Sequence, residues 1–276
     1  NSCEKGLFMI SVIKSGIDAA LNDLGVTSNN IANARTTGFK KRQATFADVY
    51  GNTNSIKIAG ARIGMGALIA ENRVLNAQGA FQQTGDVLDL AIEGQGLFTL
   101  IDAEQPDNKL YTRDGSFTVN ADGIIANTDG KQLMSALGAA ITVPMTANIA
   151  TSVDGTETFV ETRLTGVAIR TDGQIEATYG NNATFFVGQV GLSMFVDANR
   201  LTPIGQNYFK ENAKSGAGIL GAPIEAGRGK VHSGALEMSN IDMTSELSDL
   251  MRAQQAFSGS SRLLQAENEM TRKLTQ

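Results

Sequence analysis

The fold is decided by one stretch near the N-terminus, Thr27-Ser28-Asn29-Asn30-Ile31-Ala32-Asn33-Ala34-Arg35-Thr36-Thr37-Gly38-Phe39-Lys40. It closes a segment in which apolar residues recur in alternating steps of three and four, interrupted only at Thr27. This spacing predicts a helix from about Met9 to about Asn33 with one narrow apolar seam. The seam consists of Ile10, Ile13, Ile17, Ala20, Leu24 and Ile31.

A second amphipathic segment lies at the other end of the chain, in residues 242–274. Asp242 is a suitable N-cap, and Glu246 follows in the first turn, where negative charge favours a helix. One face of this helix carries Met243, Leu247, Leu250, Phe257 and Leu264, and an adjoining face carries Leu263, Met270 and Leu274. Because neither terminal helix can bury its apolar face alone, we expect the two to pack together and then against other copies.

The first helix contains residues that weaken helices, both within it and at its end. Gly16 and Gly25 each cost about 1 kcal/mol relative to alanine, and the asparagines of the quoted stretch compete for backbone hydrogen bonds. Gly38 tolerates positive φ, so a turn is expected there. Lys40-Lys41-Arg42 follows, and we interpret it as a solvated, basic helix terminus rather than an anion site.

Between the two helices the pattern is that of β-strands. Residues 71–226 alternate apolar and polar side chains, broken by turn sequences such as Asn120-Ala121-Asp122-Gly123 and Thr171-Asp172-Gly173. These turns predict antiparallel hairpins, and residues 185–195 are interpreted as a further strand pair. Residues 44–66 are expected to be irregular or a long hairpin.

The expected fold class is therefore α+β, with long N- and C-terminal helices packed as a coiled-coil-like pair and a mainly antiparallel β middle domain. We expect residues 1–40 to join residues 236–276 in an inner helical domain. Residues 41–80 form a connecting segment, and residues 81–230 form a β-rich outer domain. The seam starts just after Met9, which is a candidate native start and leaves open whether residues 1–8 are native.

The composition excludes several classes of protein. The formal net charge of −5 gives no broad attraction to nucleic acid. Cys3 is the only cysteine, so neither an intramolecular disulfide nor a cysteine metal cluster can form. The apolar run from Leu7 to Ile13 is too short to span a membrane and lacks the flanks of a cleaved signal peptide. We expect no nucleic-acid partner and no membrane insertion.

No pattern indicates a catalytic residue, a cofactor or a metal site. Gly94-Gln95-Gly96 lacks the third glycine of a dinucleotide loop and is interpreted as a strand kink or bulge. His232 is the only histidine and is interpreted as exposed or capping. Aspartates that precede a glycine favour a role in turns over paired carboxylates or calcium binding; they include Asp114, Asp122, Asp129 and Asp172.

The quoted stretch, from Ser28 to Lys40, resembles the rod signature of the bacterial flagellar axial proteins, the family of rod, hook and hook-associated proteins. The signature residues are Asn29, Asn30, Ala32, Asn33, Thr37, Gly38 and Phe39. Glu237-Met238-Ser239-Asn240-Ile241-Asp242 and the following residues resemble the C-terminal segment of the family. Ala91-Ile92-Glu93-Gly94-Gln95-Gly96-Leu97-Phe98 and Tyr111-Thr112-Arg113-Asp114-Gly115-Ser116-Phe117 resemble its interior motifs.

This resemblance implies a structural protein and not an enzyme. It implies a tubular, helical homo-oligomer that transmits torque, with other flagellar rod and hook proteins as neighbours. It also implies passage through the flagellar export apparatus without a cleaved signal peptide, and a location in the basal body. The residues expected to form the subunit-packing seam are Ile10, Ile13, Ile17, Leu24, Ile31, Met243, Leu247, Leu250, Phe257 and Leu264.

Within the family, a single β domain favours a rod protein over a hook protein. The stretch Val187-Gly188-Gln189-Val190-Gly191-Leu192 resembles the distal rod subfamily most. Arg35 and the unmatched residues 136–165 leave a proximal rod protein or a short hook protein open. Outside the family, a secreted β-domain adhesin with helical oligomerisation ends would share the composition. A carbohydrate-active enzyme would need paired acids in a cleft.

Overall fold

The structure is a computed structural model that describes residues 2–50, 64–102, 104–105, 108–153, 156–180 and 183–274. The chain separates into two compact units. The first, called the helical unit here, comprises Asn1–Ala34, Lys40–Leu75 and Ile241–Gln276. The second, the β unit, comprises Arg35–Phe39 and Asn76–Asn240. The chain therefore passes between the two units four times.

The helical unit contains the two expected long helices, α1 (Ser2–Ala32) and α2 (Met243–Leu274). Asp242 caps α2 as predicted, because its carboxylate accepts the backbone N–H of Thr244 at 3.0 Å and its carbonyl accepts that of Glu246 at 3.0 Å. α1 begins earlier than the predicted Met9. The backbone hydrogen bonds of a helix do not require a periodic pattern of apolar side chains. The apolar seam alone therefore did not predict the first residue of α1.

The helical unit also contains an antiparallel pair, β1 (Arg42–Tyr50) and β2 (Gly64–Val74), which packs against α1. The hairpin alternative for residues 44–66 is confirmed for the described part, whereas residues 51–63 lie outside it. Gly66 permits the close approach to α1, because a Cβ there would lie 2.1 Å from the Ser15 hydroxyl. That hydroxyl accepts the Ala67 N–H at 3.3 Å.

The described part of the β unit contains seventeen strands. They are β3 (Phe81–Gln83), β4 (Leu90–Glu93), β5 (Leu97–Ile101), β6 (Lys109–Thr112), β7 (Phe117–Val119), β8 (Ile125–Asn127), β9 (Gln132–Leu133), β10 (Thr146–Val153), β11 (Thr156–Ile169), β12 (Gln174–Tyr179), β13 (Ala183–Gln189), β14 (Leu192–Met194), β15 (Thr202–Gly205), β16 (Tyr208–Lys210), β17 (Ile219–Gly221), β18 (Lys230–Ser233) and β19 (Ala235–Glu237).

The strands form one large sheet and three smaller ones. The nine-stranded sheet follows the order β15-β16-β6-β5-β9-β8-β7, with β14 pairing both β5 and β17. A four-stranded sheet follows β10-β11-β12-β13, and β4 pairs β18 while β3 pairs β19. The pairings are antiparallel, and the fold class α+β is confirmed.

Both predicted hairpins are present. β7 pairs β8 across the turn at Gly123, and β11 pairs β12 across the turn at Gly173; each glycine has φ +77. The prediction of a strand pair within residues 185–195 is wrong. β13 pairs β12, whereas β14 pairs β5 and β17, because Val190 and Gly191 bond instead to the carbonyls of Gly173 and Met134.

The hydrophobic core lies in the β unit. Its most fully enclosed members include residues of β4, β5, β8, β9, β12 and β14: Leu90, Ile92, Phe98, Leu100, Ile125, Leu133, Ile175 and Leu192. The ring of Phe98 meets that of Phe117 edge-on at 5.3 Å between centroids. This core gives the β unit its own source of stability.

Candidate functional site

The two long helices run antiparallel within the helical unit. Asn30, near the end of α1, bonds to Glu246, near the start of α2. A Cβ on Gly16 in the middle of α1 would lie 3.6 Å from the hydroxyl of Ser260 in the middle of α2. As the residue number rises along α1 it therefore falls along α2, which defines one continuous line of contact.

The positions of this contact that are fully buried are small or polar, and half-buried positions lie between them. On α2 they recur in alternating steps of four and three, with Glu246, Ala253 and Glu267 buried and the others half-buried: Glu246, Leu250, Ala253, Phe257, Ser260, Leu264 and Glu267. On α1, Ala20, Thr27 and Asn30 are buried. Thr27, which interrupts the apolar pattern in the sequence, therefore occupies a seam position all the same.

The residues expected to form the seam divide into two groups. Half-buried side chains are Ile10, Ile13, Ile17, Leu24 and Ile31 on α1, and Leu250, Phe257 and Leu264 on α2. Met243 and Leu247 lie beside the line of contact on α2 and are exposed. A role of these ten residues in packing between subunits remains a prediction.

Asn30 is the most connected signature residue of the helical unit. Its side chain donates to the Arg42 carbonyl at 2.8 Å and to a Glu246 carboxylate oxygen at 3.0 Å. Its amide oxygen accepts the Arg42 N–H at 3.0 Å. Only 1% of Asn30 is exposed, so these bonds replace water entirely. One amide thus joins α1, the start of β1 and the first turn of α2.

The basic run beside Asn30 is not the solvated terminus that we predicted. Lys40 is buried, and Lys41 forms an ion pair with Glu246. The physical reason is Glu246 itself, which the antiparallel pairing buries opposite this run. A buried carboxylate requires a cationic or hydrogen-bonding partner, and the sequence alone does not show that Glu246 lies there.

Asp23 lies near the same acidic end of α2. Burial raises the pKa of the Asp23 carboxyl, and the negative charges of Asp249 and Glu246 raise it further, while Arg252 lowers it. The helix contact therefore contains a carboxylate that folding makes harder to ionise.

The other signature residues of α1 have local roles. The Asn33 side chain donates to the Asn29 carbonyl at 2.9 Å, and the Asn33 N–H reaches the Asn29 and Asn30 carbonyls at 3.1 Å each. These bonds satisfy carbonyls at the end of the helix. Asn29 and Ala32 are exposed.

The last signature residues, Thr37, Gly38 and Phe39, belong to the β unit. Gly38 has φ +67, and a Cβ there would lie 2.4 Å from the Asp114 backbone nitrogen. The positive φ was predicted; the close approach was not. Thr37 donates to Asp114 at 3.1 Å, its carbonyl accepts the Asn207 amide at 2.9 Å, and Phe39 is buried.

Gly94-Gln95-Gly96 separates strand β4 from strand β5, as predicted. Carbonyls of this turn accept hydrogen bonds from a buried arginine. Arg113 donates to the carbonyls of Ile92 at 2.8 Å and Gly94 at 2.7 Å, and also to that of Gly96. It also donates to the Gln78 amide oxygen at 3.2 Å and to Glu237, whose carboxylate lies 2.6 Å from Nε. The glycine loop thus binds the guanidinium group of Arg113 rather than a phosphate.

Sequence reasoning missed Asn30, Arg113 and Glu237 as connecting residues. Of the last two, a weak signal existed for Glu237 alone, since it is the only charge in the short strand Ala235–Glu237. For Asn30 the signal was weaker, because an amide in an apolar stripe does not identify its partner.

His232 and the turn aspartates mostly follow the sequence interpretation. His232 is partly exposed, with Nε2 2.7 Å from Glu93, and this bond together with Lys230 lowers the pKa of Glu93. Asp114 and Asp172 accept backbone N–H groups within their turns at 3.2 and 3.1 Å. Asp129 differs, because it accepts the Tyr208 hydroxyl. Over their described residues, neither helix has a stretch apolar enough to cross a membrane.

Three family models match the chain in order. Residues 11–40 match "Flagella basal body rod protein", residues 91–177 match "Flagellar hook protein FlgE/F/G D1 domain", and residues 232–276 match "Flagellar basal body rod FlgEFG protein C-terminal". The flagellar basal-body rod protein FlgG of Agrobacterium fabrum is 33% identical over 95% of both chains. That of Bacillus subtilis is 31% identical over 96% of this chain and 98% of the relative.

The chain belongs to the flagellar basal-body rod protein family. Members of this rod family are structural components of the flagellum, not enzymes. The Helicobacter pylori flagellar hook protein FlgE2 is similar at 14% identity and a TM-score of 0.25, over 72% of this chain and 43% of that one. That likeness is too weak to support an argument. The rod-family models include Asn30, Gly38, Arg113, Glu237 and all of α2.

Proposed function

We propose that this rod-family protein is a subunit of the flagellar axial tube that polymerises with copies of itself through α1 and α2 and transmits torque along the tube. It would lie in the basal body, contact other rod and hook proteins, and reach its place through the flagellar export apparatus without a cleaved signal peptide. The observation that carries the proposal is the apolar surface on α2 that α1 leaves exposed.

This apolar surface lies on both sides of the α1–α2 contact. At 3.6 residues per turn, Met243, Leu247 and Met251 lie about 100° to one side of the contact line. Leu263 and Met270 lie about 100° to the other side. Leu247 is 47% exposed and Leu263 is 61% exposed. A helix pair with an apolar flank on each side can pack between two neighbours, which builds a continuous layer rather than a closed dimer.

The interior of the helix pair supports the same proposal. The alternating three- and four-residue steps on both helices favour a coiled-coil-like antiparallel pair. Alanine, threonine, serine and glutamate at its inner positions contribute little apolar burial. The pair would therefore gain much of its stability from neighbouring copies, which suits a subunit that must stay monomeric until it reaches the growing tube.

A rod subunit is favoured over the alternatives. Relatives named as FlgG rod proteins match at about 30% identity over nearly their whole length. A FlgF rod protein of Caulobacter vibrioides is 27% identical over 91% of this chain. An adhesin would not need the signature from Asn29 to Phe39.

A charge on one flank of α2 tests the proposal. Leu247→Asp should leave the monomer folded, because the side chain is exposed, yet should prevent assembly by burying a carboxylate between subunits. The matched control is Gln255→Asp, an exposed position nine residues from Leu264 and hence on the opposite side of α2. Leu250→Asp is less informative, since Leu250 also packs within the monomer.

The measurements are circular dichroism of the monomer, electron microscopy of concentrated protein, and swimming of a bacterium that carries each variant as its only copy. We expect tubes and swimming for the wild type and Gln255→Asp, and neither for Leu247→Asp with an unchanged monomer spectrum. Leu263→Asp should repeat the loss from the other flank. Normal tubes from Leu247→Asp and Leu263→Asp would overturn polymerisation through α2.

A further inference from the structure

We infer that Arg113 and Glu237 form a clamp that makes the pairing of α1 with α2 a short-range event. The clamp holds together the segment by which the chain first enters the β unit and the strand by which it finally leaves. The clamp acts by shortening the connection between the two helices, so its effect is expected in helices that it does not touch.

The clamp closes on Glu237, the last residue of β19. The Glu237 carbonyl accepts the Gly38 N–H at 2.8 Å, so the entering segment and the leaving strand are directly bonded. The Glu237 carboxylate accepts the Gly79 N–H at 2.9 Å through one oxygen and Arg113 Nε at 2.6 Å through the other. Both oxygens are used, and the side chain is buried.

The other half of the clamp is Arg113, which cannot readily move. Its guanidinium is held by the carbonyls on either side of the Gly94–Gly96 turn and by the Gln78 amide oxygen at 3.2 Å. A cation with this many fixed acceptors positions a carboxylate strongly. Glu237 is therefore held from the core side of the β unit, and Gly38 is held through Glu237.

The consequence follows from chain length. Asn30 on α1 and Glu246 on α2 are 216 residues apart in sequence. While the clamp is closed, the shortest connection between them runs from Asn30 to Gly38, across the hydrogen bond to Glu237, and on to Glu246. This connection contains about 17 residues. Because effective concentration falls as loop length grows, this short connection favours helix pairing.

Hydrogen exchange of the full-length monomer tests the clamp. Glu237→Gln keeps the side-chain shape but places an amide donor against Arg113 or Gly79. We expect exchange of the Gly38 and Gly79 amides to rise at least about tenfold. Exchange across residues 20–32 of α1 should rise by several-fold, because helix pairing becomes less favourable. The amides of β5 and β6 should keep their wild-type protection.

Two further variants separate the clamp from general destabilisation. Glu161→Gln makes the same charge change at an exposed position on β11 and should alter none of these amides. Gln78→Ala removes one Arg113 partner at an exposed position, so it should fold and show the Glu237→Gln pattern at smaller amplitude even if Glu237→Gln does not fold. Unchanged exchange in α1, or equal loss across β5 and β6, would overturn the inference.

Discussion

The helical unit and the β unit bury different kinds of side chain. In the β unit the enclosed residues are large and apolar, such as Phe98, Leu100 and Ile125. In the helical unit they are small or polar, such as Ala20, Thr27 and Glu246. The same chain thus contains one region with a complete core and one helix pair on which the larger apolar side chains from Met9 onwards stay half-buried or exposed.

This difference indicates where each unit obtains its stability. Apolar burial contributes about 25 cal/mol per Å², so the β unit stabilises itself in the monomer. The helix pair instead relies on a few directed contacts, of which Asn30 and the Lys41–Glu246 ion pair are the clearest. The helical unit is therefore expected to respond to polar substitutions and to neighbours, and the β unit to core volume.

The largest effect is expected in the β-unit core. Phe98→Ala should cost about 3–5 kcal/mol of unfolding free energy, whereas Leu250→Ala on half-buried α2 should cost roughly 1–2 kcal/mol. Urea unfolding followed by tyrosine fluorescence reports the β unit, which holds Tyr111, Tyr179 and Tyr208 of the four tyrosines, and the helical circular dichroism signal in the same urea series reports α2. Phe186→Ala, at an exposed position, is the control. Equal costs for Phe98 and Leu250 would remove the contrast between the units.

A smaller loss is expected from the polar centre of the helical unit. Asn30→Ala removes the amide partner of one Glu246 carboxylate oxygen and of the Arg42 N–H and carbonyl, which should cost about 2–3 kcal/mol. The measurement is the thermal midpoint of the helical circular dichroism signal. Asn29→Ala, one residue earlier and exposed, should change it little. If the two alanine variants melt alike, the helix pair does not depend on the Asn30 contacts.

The smallest effect is a gain. Because the folded pKa of Asp23 is raised, its contribution to stability is present below the unfolded value of 3.8 and lost as pH rises through the folded value. Asp23→Asn should therefore stabilise the helix pair at pH 7 by less than about 1 kcal/mol, since Asp23 is partly solvated. The gain should shrink towards pH 4 in thermal melts, while Asp18→Asn, on the exposed face, should show none. A pH-independent gain would point to helix propensity instead of charge.

Local patterns predicted the elements of both units. The apolar steps around Ile13 and Ile17, the Asp242 cap and the turns at Gly123 and Gly173 all depend on residues close in sequence. The α+β class follows from these features alone.

Contacts between distant residues could not be predicted. The chain does not show that Lys41 will meet Glu246, or that β14 will leave β13 to join β5. The arginine clamp was hidden for the same reason, because Arg113 and Glu237 are 124 residues apart. A single sequence shows which residues need partners, and only the fold shows which partners they obtain.

The turn at Gly38 has a genetic consequence. Gly38 and Gly130 both adopt positive φ, but a Cβ on Gly130 would meet no atom within 4 Å. A missense change at Gly130 therefore faces only the backbone preference, which asparagine and aspartate largely satisfy. At Gly38 the same change also drives a side chain into the Asp114 backbone. Two glycines that are equivalent in the genetic code thus differ in mutational tolerance, and every missense codon at position 38 should be selected against.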